Sequence, residues 1–286
     1  MKRILVTGAT GQIGSEVLTQ LRATECRLRA LTRNPGSARV PRDVEVVQGD
    51  LADPDTLDPC LEGVDAVFLV WLAPLAAAAP ALARIASHTE RIVLLSSPHQ
   101  IDHPFFQQPN ALRLVHAGVD RLVMDSGRQW TILRPGPFAI NSRNWWAPQI
   151  RSGHVVRWFH GAAETAPVHE RDIAAVAVRA LSDEGHNGRD YVLTGPVSLT
   201  QRQQVHIIGE VIGRALTFTE LSPEAAREAM LAIMPGPAAD MLLAAYGAAV
   251  GLPAYITSTI GEVTGIPARS FSDWALDHAE EFVVLG

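Results

Sequence analysis

Three glycines near the start of the chain are spaced in a way that suits phosphate binding. They lie in the segment TGATGQIG at 7–14, which directly follows an apolar run and precedes a helical pattern. The first glycine permits a tight turn, the second lets backbone N–H groups approach a pyrophosphate, and the third allows close helix packing. The N-terminus of the next helix attracts the anion. The expected dinucleotide contacts are Gly8, Thr10, Gly11, Gln12, Ile13 and Gly14.

The residue after the second predicted strand indicates which dinucleotide fits. An acidic side chain there would accept hydrogen bonds from the ribose of NAD and would repel a 2′-phosphate. This chain has Arg33 instead, and a guanidinium can pair with that phosphate through charge-assisted hydrogen bonds. We therefore expect NADP (NADPH) as the cofactor, with NAD less favoured. A solvated surface arginine is the alternative interpretation.

The elements that position these residues follow from hydrophobic patterning. The first half alternates short apolar runs with helical patterns, which is typical of a parallel sheet with helices on both faces. The predicted strands are Arg3–Thr7, Arg27–Thr32, Val44–Gln48, Ala66–Val70, Arg91–Leu95 and Trp130–Arg134. The predicted helices between them are Gln12–Ala23, Asp55–Leu61, Leu75–Ala86 and Ala111–Ser126. We expect an α/β fold whose doubly wound, Rossmann-type parallel sheet occupies residues 1–134 and binds ligands at the carboxyl ends of its strands.

The regular alternation ends after Arg134, where several prolines and the Trp145-Trp146 pair predict loops and a short helix. Further helices and two short strands are predicted beyond them. These helices are 170–181, 201–214, 223–234, 238–250 and 272–282, and the strands are 191–193 and 216–219. We interpret residues 135–286 as a smaller, mostly helical C-terminal substrate-binding cap that is interleaved with the sheet.

The composition is that of an ordinary globular chain with an excess of acid. Its 286 residues carry a net charge of −6 without a run of basic residues, and a basic patch is what nucleic acid or an anionic membrane requires. We expect neither partner. Cys26 and Cys60 lie in separate predicted elements without the spacing of a zinc site, so no metal is expected. Many arginines beside a single lysine are typical of GC-rich bacterial genomes.

Targeting and membrane signals are also not expected. The chain runs from Met1 into a strand pattern without the charged region and cleavage site of a signal peptide, which favours a cytoplasmic protein. The uncharged run 66–83 is long enough to span a membrane. Pro74 and Pro80 would interrupt a helix there, so the run is better divided into a buried strand, a loop and an Ala-rich helix.

Several segments together resemble the NmrA-like group of atypical short-chain dehydrogenases, over nearly the whole chain. They are TGATGQIG, the LTRNP after the second strand, QGDL at 48–51, LLSSP at 94–98, SGRQWTILRPGPF at 126–138 and HERDIAAVAVRAL at 169–181. The group includes NADPH quinone reductases, azo- and triphenylmethane-dye reductases, and redox-sensing regulators. The resemblance implies that the loop 70–74 and the turn 135–138 flank the nicotinamide.

The resemblance adds further residues to the expected sites. Asp50 ends the third strand, where it could face the adenine or cap the helix after Pro54, and the resemblance favours the first role. The added cofactor contacts are Asp50, Leu51, Val70, Trp71, Leu72, Ser96, Pro135 and Phe138. The side chains expected to present flat or apolar surfaces to a substrate are Trp71, Pro74, Phe138, Trp145 and Met230. Ordinary helix packing is the alternative for the cluster formed by Met230, Met234, Met241 and Leu242.

The chain departs from this group in the residues that could supply a proton. Many relatives carry His-Lys-x-x-Glu where this chain reads HAGVD at 116–120. Its single lysine is Lys2, and all three tyrosines, Tyr191, Tyr246 and Tyr255, lie beyond the first six strands. The Tyr-x-x-x-Lys pair of most short-chain dehydrogenases is therefore excluded.

The polar groups that remain near the expected nicotinamide are Ser96, Ser97, His99 and His116. A histidine has a suitable pKa to deliver a proton near neutrality. His116 and Asp120, four residues apart, could form an oriented pair on one helix face. His116 is thus the candidate catalytic residue, although such pairs often serve structure alone.

These observations favour an NADPH-dependent reductase that transfers hydride to a small apolar or aromatic acceptor, such as a quinone, an enone or a ketone. The rival hypothesis is a non-catalytic NADP-binding redox sensor of the NmrA type, since loss of Tyr and Lys fits that role as well. A third is a ketone or epoxide reductase of a specialised biosynthetic pathway. Either a monomer or a homodimer is compatible with the sequence.

Overall fold

The computed structural model describes residues 1–109 and 111–283, without the side chain of Ala111. Its strands, numbered in chain order, are β1 (Arg3–Val6), β2 (Arg27–Thr32), β3 (Glu45–Gln48), β4 (Ala66–Val70), β5 (Arg91–Leu95), β6 (Gln129–Pro135), β7 (Val155–Trp158), β8 (Glu164–Thr165), β9 (Arg189–Leu193), β10 (Leu199–Thr200) and β11 (Thr217–Glu220). The helices α1 to α6 are Gln12–Leu21, Asp58–Leu61, Ala78–His88, Ala111–Met124, Ile140–Ser152 and Glu170–Ser182. The helices α7 to α11 are Gln201–Val211, Pro223–Leu231, Gly236–Ala248, Thr259–Thr264 and Phe271–Asp277.

Seven strands form one parallel sheet in the order β3-β2-β1-β4-β5-β6-β9. The order reverses direction at β1, which pairs with both β2 and β4. Ligands bind open α/β sheets at such a switch point, beyond the carboxyl ends of the strands. This is the Rossmann-like α/β architecture that the alternating sequence pattern predicts.

Alternating side chains give the sheet two buried faces. Ile4 and Val6 of β1 lie with α1 and α6 in one core, whereas Leu5 between them lies with α2, α3 and α4 in the other. Successive strand residues point to opposite faces, so a continuous apolar run is what a strand covered on both faces needs. The two helix layers therefore hold the strands, and with them the carboxyl ends of the strands, in position.

The part of the chain after β6 contributes to the sheet as well as to the cap. Helix α6 packs on α1, and β9 pairs with β6 at the edge of the sheet. The cap has a separate core, in which Trp146, Met230 and Trp274 are fully buried. Two small sheets, β10 with β8 and β11 with β7, complete it. The division of the chain at residue 134 and the interleaving of a substrate-binding cap with the sheet stay predictions.

The largest difference from the predicted elements is α5. The sequence predicts loops and a short helix there, but a helix of 13 residues forms with Pro148 inside it. Trp146 and Ile150 lie one turn apart on its buried face, so tertiary packing outweighs the local cost of the proline. A second helix that the prediction missed is the short α10. No helix in the described residues is long and apolar enough to cross a membrane.

Candidate cofactor and substrate site

The glycine segment forms a tight turn between β1 and α1. Gly8 has φ +60°, in the left-handed region that glycine adopts without strain, and a Cβ placed on it would lie 3.0 Å from Cβ of Val70. The Gly11 N–H donates to the Gly8 carbonyl at 2.9 Å. A Cβ on Gly14 would lie only 2.2 Å from that carbonyl oxygen. The turn therefore needs glycine for its conformation at position 8 and for close packing at position 14.

Helix α1 begins directly after this turn with Gly11 at its N-cap, which supplies no side-chain hydrogen bond. The first N–H groups of a helix have no partner within the helix, and together with the helix dipole they form a site for anions. The backbone at 11–14 thus has the form that a pyrophosphate requires. The individual contacts of Gly11, Gln12, Ile13 and Gly14 with a cofactor stay predictions.

A cavity of about 400 Å³, which we call the glycine cavity, opens beside this turn at the carboxyl ends of β1 to β4. Its walls include seven residues predicted to contact cofactor, together with Pro74, which was predicted to contact substrate. The seven are Gly8, Thr10, Arg33, Asp50, Leu51, Val70 and Leu72. Elements far apart in sequence thus converge on one crevice, because parallel strands end at the same edge of the sheet.

Arg33 lies exposed on the rim of the glycine cavity. Within the part of the chain that the structure describes, its guanidinium makes no side-chain hydrogen bond or ion pair with the protein, and only its backbone carbonyl accepts a bond, from Gln48. The charge is therefore available to a ligand. On the opposite wall, Asp50 Oδ1 accepts the Ala52 N–H at 2.9 Å. Asp50 does not cap the turn after Pro54, since Asp53 holds that position.

A second cavity of about 240 Å³, which we call the aromatic cavity, opens beyond the ends of β5 and β6. Helix α4 lies on one side of it, and α5 and α9 of the cap lie on another. Its walls combine rings and apolar groups with a few polar ones. The lining includes Ser97, His99, Phe105, Phe106, Gln108, Arg113, His116, Pro135, Asn141, Trp145, Met241, Leu242 and Tyr246.

Beneath this cavity lies a buried network of charged groups. Arg134 is fully buried and donates to Asp120 Oδ2 at 2.6 Å and to Asp190 Oδ1 at 2.7 Å. Ser96 donates its hydroxyl hydrogen to Asp120 Oδ1 at 2.6 Å. Burial alone would lower the pKa of Arg134, but its bonds to Asp190 and Asp120 raise it. The guanidinium therefore remains charged and compensates the buried carboxylate.

The expected pairing of His116 with Asp120 is wrong. The two oxygens of Asp120 are taken by Ser96 and Arg134, and the histidine within reach of this carboxylate is His99, at 3.6 Å from Nε2 to Oδ2. Both histidines line the aromatic cavity. Burial lowers the pKa of His99 and that of His116, although the charge of Asp120 opposes the change in each case. Both rings are thus neutral at neutral pH.

Other predicted contacts also need correction. Trp71 is only 5% exposed and packs in the core under α2, α3 and α4, so its ring lines neither cavity. Met230 is wholly buried in the cap core. Met241 and Leu242, of the same predicted cluster, do line the aromatic cavity. Ser96 is buried in the charged network, and its neighbour Ser97 reaches the cavity instead.

Phe138 packs between the cores of the sheet and the cap and lies on neither cavity wall. Its predicted contacts therefore stay predictions. Trp145 and Pro135 lie on the aromatic cavity, as a substrate or nicotinamide contact would require. Sequence reasoning missed Phe105, Phe106, Asn141 and Tyr246. The four-residue spacing from Asn141 to Trp145 places both on one face of α5, which is the one signal that could have found Asn141.

Within residues 1–109 and 111–283, no group of three or more His, Cys, Asp or Glu side chains is arranged to hold a metal ion.

Comparison with known proteins places this geometry in a family. A family model described as NAD(P)H-binding matches residues 8–184. A (4-alkanoyl-5-oxo-2,5-dihydrofuran-3-yl)methyl phosphate reductase from Streptomyces griseus is 41% identical, covering 98% of this chain and 99% of its own length. An NAD(P)H azoreductase from Xenophilus azovorans is 33% identical, covering 98% of this chain and 99% of its own length.

Solved structures give the same picture. The NADPH-dependent quinone oxidoreductase of Escherichia coli has a TM-score of 0.78 at 26% identity, covering 95% of this chain and 98% of its own. The Citrobacter sp. triphenylmethane reductase complexed with NADP(H) has a TM-score of 0.80 at 22% identity, with 97% and 99% covered, and supports the fold. The chain therefore belongs to the NAD(P)H-binding family, within the NmrA-like atypical short-chain dehydrogenases, and is an NAD(P)H-dependent reductase.

Proposed function

We propose that the protein uses NADPH to reduce a small conjugated acceptor bound in the aromatic cavity. The observation that carries this proposal is the placement of the two cavities along one sheet edge. The glycine cavity covers the ends of β1 to β4, and the aromatic cavity begins at the ends of the neighbouring strands β5 and β6. A dinucleotide anchored at its adenosine end in the first would extend its nicotinamide toward the second.

The residues present fit such a cofactor. The close approach at Gly8 and Gly14 leaves the start of α1 open to a pyrophosphate, and Arg33 offers its charge to a 2′-phosphate. NADP is therefore preferred over NAD. When bound, the cofactor supplies a hydride. The protein's task is to orient the acceptor, to keep water away from it and to permit its protonation.

The walls of the aromatic cavity suit a flat acceptor. Trp145 stacks on Trp158 at 5.6 Å between ring centroids and meets Tyr246 edge to face at 6.0 Å. Phe105 meets Tyr246 edge to face at 5.1 Å. Such packing holds the rings in fixed orientations, so the cavity presents rigid apolar surfaces. Three relatives are named for quinone, azo and oxo-dihydrofuran compounds, and each of these compound classes contains a conjugated group.

The choice of acceptor also follows from the proton donors. His116 and His99 are neutral at neutral pH because burial lowers their pKa. The sequence offers no Tyr-x-x-x-Lys pair, because Lys2 is its single lysine. A conjugated acceptor becomes a stabilised anion after hydride transfer, so it can take its proton from water or from the small protonated fraction of His116 or His99. His99 Nδ1 lies 3.3 Å from Ser97 Oγ. Of the two histidines, His116 remains our candidate proton donor.

The test is the oxidation of NADPH by purified protein against a panel of quinones, cyclic enones, azo dyes and saturated ketones. We expect turnover with the conjugated acceptors and little with the saturated ketones. Binding of NADP⁺ and NADPH without turnover of any acceptor would contradict the proposal and would favour a redox sensor. His116→Gln should lower kcat more for enones than for quinones, since the reduced quinone is the more stable anion. Arg121→Met on the outer face of α4 is the matched control.

A further inference from the structure

The cap brings a buried hydroxyl group to the aromatic cavity. Tyr246 of α9 lines this cavity and is only 4% exposed. Burial alone raises its pKa, and its hydroxyl makes no hydrogen bond to any described residue. The buried side-chain atoms that lack a partner in the described part of the chain do not include its oxygen. The exposed fraction of Tyr246 therefore includes the hydroxyl, which is open to a ligand in the cavity.

Aromatic neighbours hold the ring of Tyr246 in one orientation. Phe105, from the segment after β5, meets it edge to face at 5.1 Å between ring centroids. Trp145 of α5 and Phe159, which follows β7, meet it edge to face at 6.0 and 5.8 Å. A buried tyrosine hydroxyl usually has a hydrogen-bond partner. Here the packing fixes the position of a hydroxyl that has none among the described residues, so the group is preorganised to donate to a ligand.

The other polar side chains in the described wall of this cavity are less suited to that role. They are all partly exposed, whereas Tyr246 is buried. Ser97 Oγ lies beside the His99 ring, and Asn141 is partly open to water near the start of α5. A hydrogen bond is stronger where water is excluded. Tyr246 is therefore the donor that interacts most strongly with an oxygen atom in the cavity.

The reduction of an acceptor that contains a conjugated carbonyl group needs such a donor. In an enone, the β-carbon gains a hydride from NADPH, which becomes NADP⁺. The electron pair of the C=C bond forms a new double bond to the carbonyl carbon, and the carbonyl π pair moves onto oxygen. The resulting enolate then gains a proton at its α-carbon from water or a histidine. Because negative charge develops on oxygen during hydride transfer, a donor at that oxygen stabilises the transition state more than the bound acceptor.

We propose that the Tyr246 hydroxyl donates a hydrogen bond to the carbonyl oxygen of the acceptor and is a catalytic residue of the protein. This inference rests on the proposed function, because it names a group that stabilises the acceptor during that reaction. The hydroxyl stays protonated at neutral pH, since burial raises its pKa, and is therefore available as a donor. It keeps its own proton, so the proton added to the product still comes from water or a histidine.

Binding without turnover tests this contact directly. The protein is saturated with NADP⁺ and titrated with para-nitrophenolate, an analogue of the enolate, or with para-nitroanisole, its uncharged methyl ether. Tyr246→Phe removes the hydroxyl and keeps the ring. We expect this variant to bind para-nitrophenolate about ten- to a hundredfold more weakly than the wild type, as for a hydrogen bond to a charged group. It should bind para-nitroanisole as the wild type does. The visible absorption of bound para-nitrophenolate should lie at shorter wavelength in the wild type than in the variant.

The matched control for this binding experiment is Tyr255→Phe. It removes the hydroxyl of a tyrosine that is 38% exposed and does not line the aromatic cavity, so it should bind both ligands as the wild type does. Equal affinity of the wild type and Tyr246→Phe for para-nitrophenolate would overturn the inference. An equal loss of affinity for both ligands would also overturn it, because such a loss would mean that the hydroxyl supports the shape of the cavity and does not contact the oxygen.

Turnover separates the inference from the proposed function. With a cyclic enone, Tyr246→Phe should lower kcat about ten- to a hundredfold and leave KM nearly unchanged, because the hydrogen bond strengthens in the transition state. Reduction of the enone by Tyr246→Phe at the rate of the wild type defeats the inference alone. Tyr246-dependent binding of para-nitrophenolate without turnover of any acceptor defeats the proposed function alone and leaves Tyr246 as a ligand-binding group.

Discussion

Arg33 illustrates how one side chain can set a preference without shaping the fold. It lies exposed on the rim of the glycine cavity and makes no side-chain bond within the described residues, so its removal should cost no folding energy. Its position after β2 is readable from sequence, because the end of that strand faces the adenosine ribose in such sheets.

We expect Arg33→Met to weaken NADPH binding about tenfold and to leave NADH binding unchanged. A charge-assisted hydrogen bond contributes about 1.5–3 kcal/mol, and the exposure of this side chain favours the lower value. Fluorescence titration of both cofactors measures the effect. Arg39→Met, an exposed arginine of the same loop, is the control. An equal loss for NADH would mean that Arg33 does not contact the 2′-phosphate.

Other residues of the site could not be placed from sequence in the same way. Met230 and Met241 are the same residue type, and both lie in predicted helices. Met230 is nevertheless wholly buried in the cap core, whereas Met241 lines the aromatic cavity. The difference depends on how α8 and α9 pack, which local periodicity does not determine. Asp120 likewise pairs with Arg134 through a contact between α4 and β6, and its spacing to His116 gave no sign of this.

At the scale of elements, the glycine turn is the feature most fully determined by sequence. A Cβ on Gly14 would meet a backbone carbonyl, which cannot move aside without opening the turn. We expect Gly14→Ala to lower the free energy of unfolding by about 1–3 kcal/mol, as for overpacking of a tight contact, and to abolish stabilisation by NADPH. Urea denaturation with and without cofactor measures both effects.

The control for this substitution is Gly261→Ala in α10. There the nearest atom to an added Cβ is 3.8 Å away, and alanine in a helix reduces the entropy of the unfolded chain. This variant should be as stable as the wild type or slightly more so, and should retain stabilisation by NADPH. Similar losses in both variants would show that the close approach at Gly14 is not the cause.

A second element-scale feature joins α6 to the end of the chain. His278, after α11, donates to Glu170 Oε1 at 2.6 Å and to Glu281 Oε1 at 2.7 Å. Burial acts to lower its pKa, but the bonds to Glu170 and Glu281 outweigh burial and raise it. Since the folded pKa lies above the unfolded value, this histidine stabilises the fold fully below the unfolded pKa. The contribution is lost as pH rises through the folded pKa.

We therefore expect the wild type to lose part of its stability between about pH 6.5, the unfolded pKa of histidine, and mildly alkaline pH. His278→Gln should lack that part of the pH dependence. Urea denaturation over this pH range measures the change. The control is His206→Gln on α7, whose ring is largely exposed and pairs with Glu210 at the surface. An unchanged pH dependence in His278→Gln would contradict this account.

The helices and strands of the sheet half were predictable, with β2, β4 and β5 matching the observed bounds, because buried parallel strands read as apolar runs. The helices and strands of the cap were less predictable from the sequence. Pro148 and the polar residues of α5 favour a short helix, and the full helix depends on burial of Trp146 and Ile150 against other elements. For β9 only the last three residues were predicted, since Arg189 and Asp190 at its start are exposed.

At the scale of the whole molecule, the cap lies over one half of the sheet edge. The glycine cavity is built from the strand ends of the first half of the chain, whereas the aromatic cavity combines β5, β6 and α4 with α5 and α9. This separation explains why the sequence indicated the residues of the glycine cavity more readily than those of the aromatic cavity. The glycine turn is encoded in one short segment with regular spacing, but the walls of the aromatic cavity come from helices that only tertiary packing brings together.

In the function that we propose, the protein passes a hydride across this sheet edge from NADPH to a conjugated acceptor. The most direct measurement uses NADPH stereospecifically deuterated at C4 of the nicotinamide, with mass spectrometry of a reduced enone. We expect one deuterium on the β-carbon of the product, from one C4 position only, with the added proton taken from solvent. A product without deuterium, or none formed while both cofactor forms bind, would contradict it.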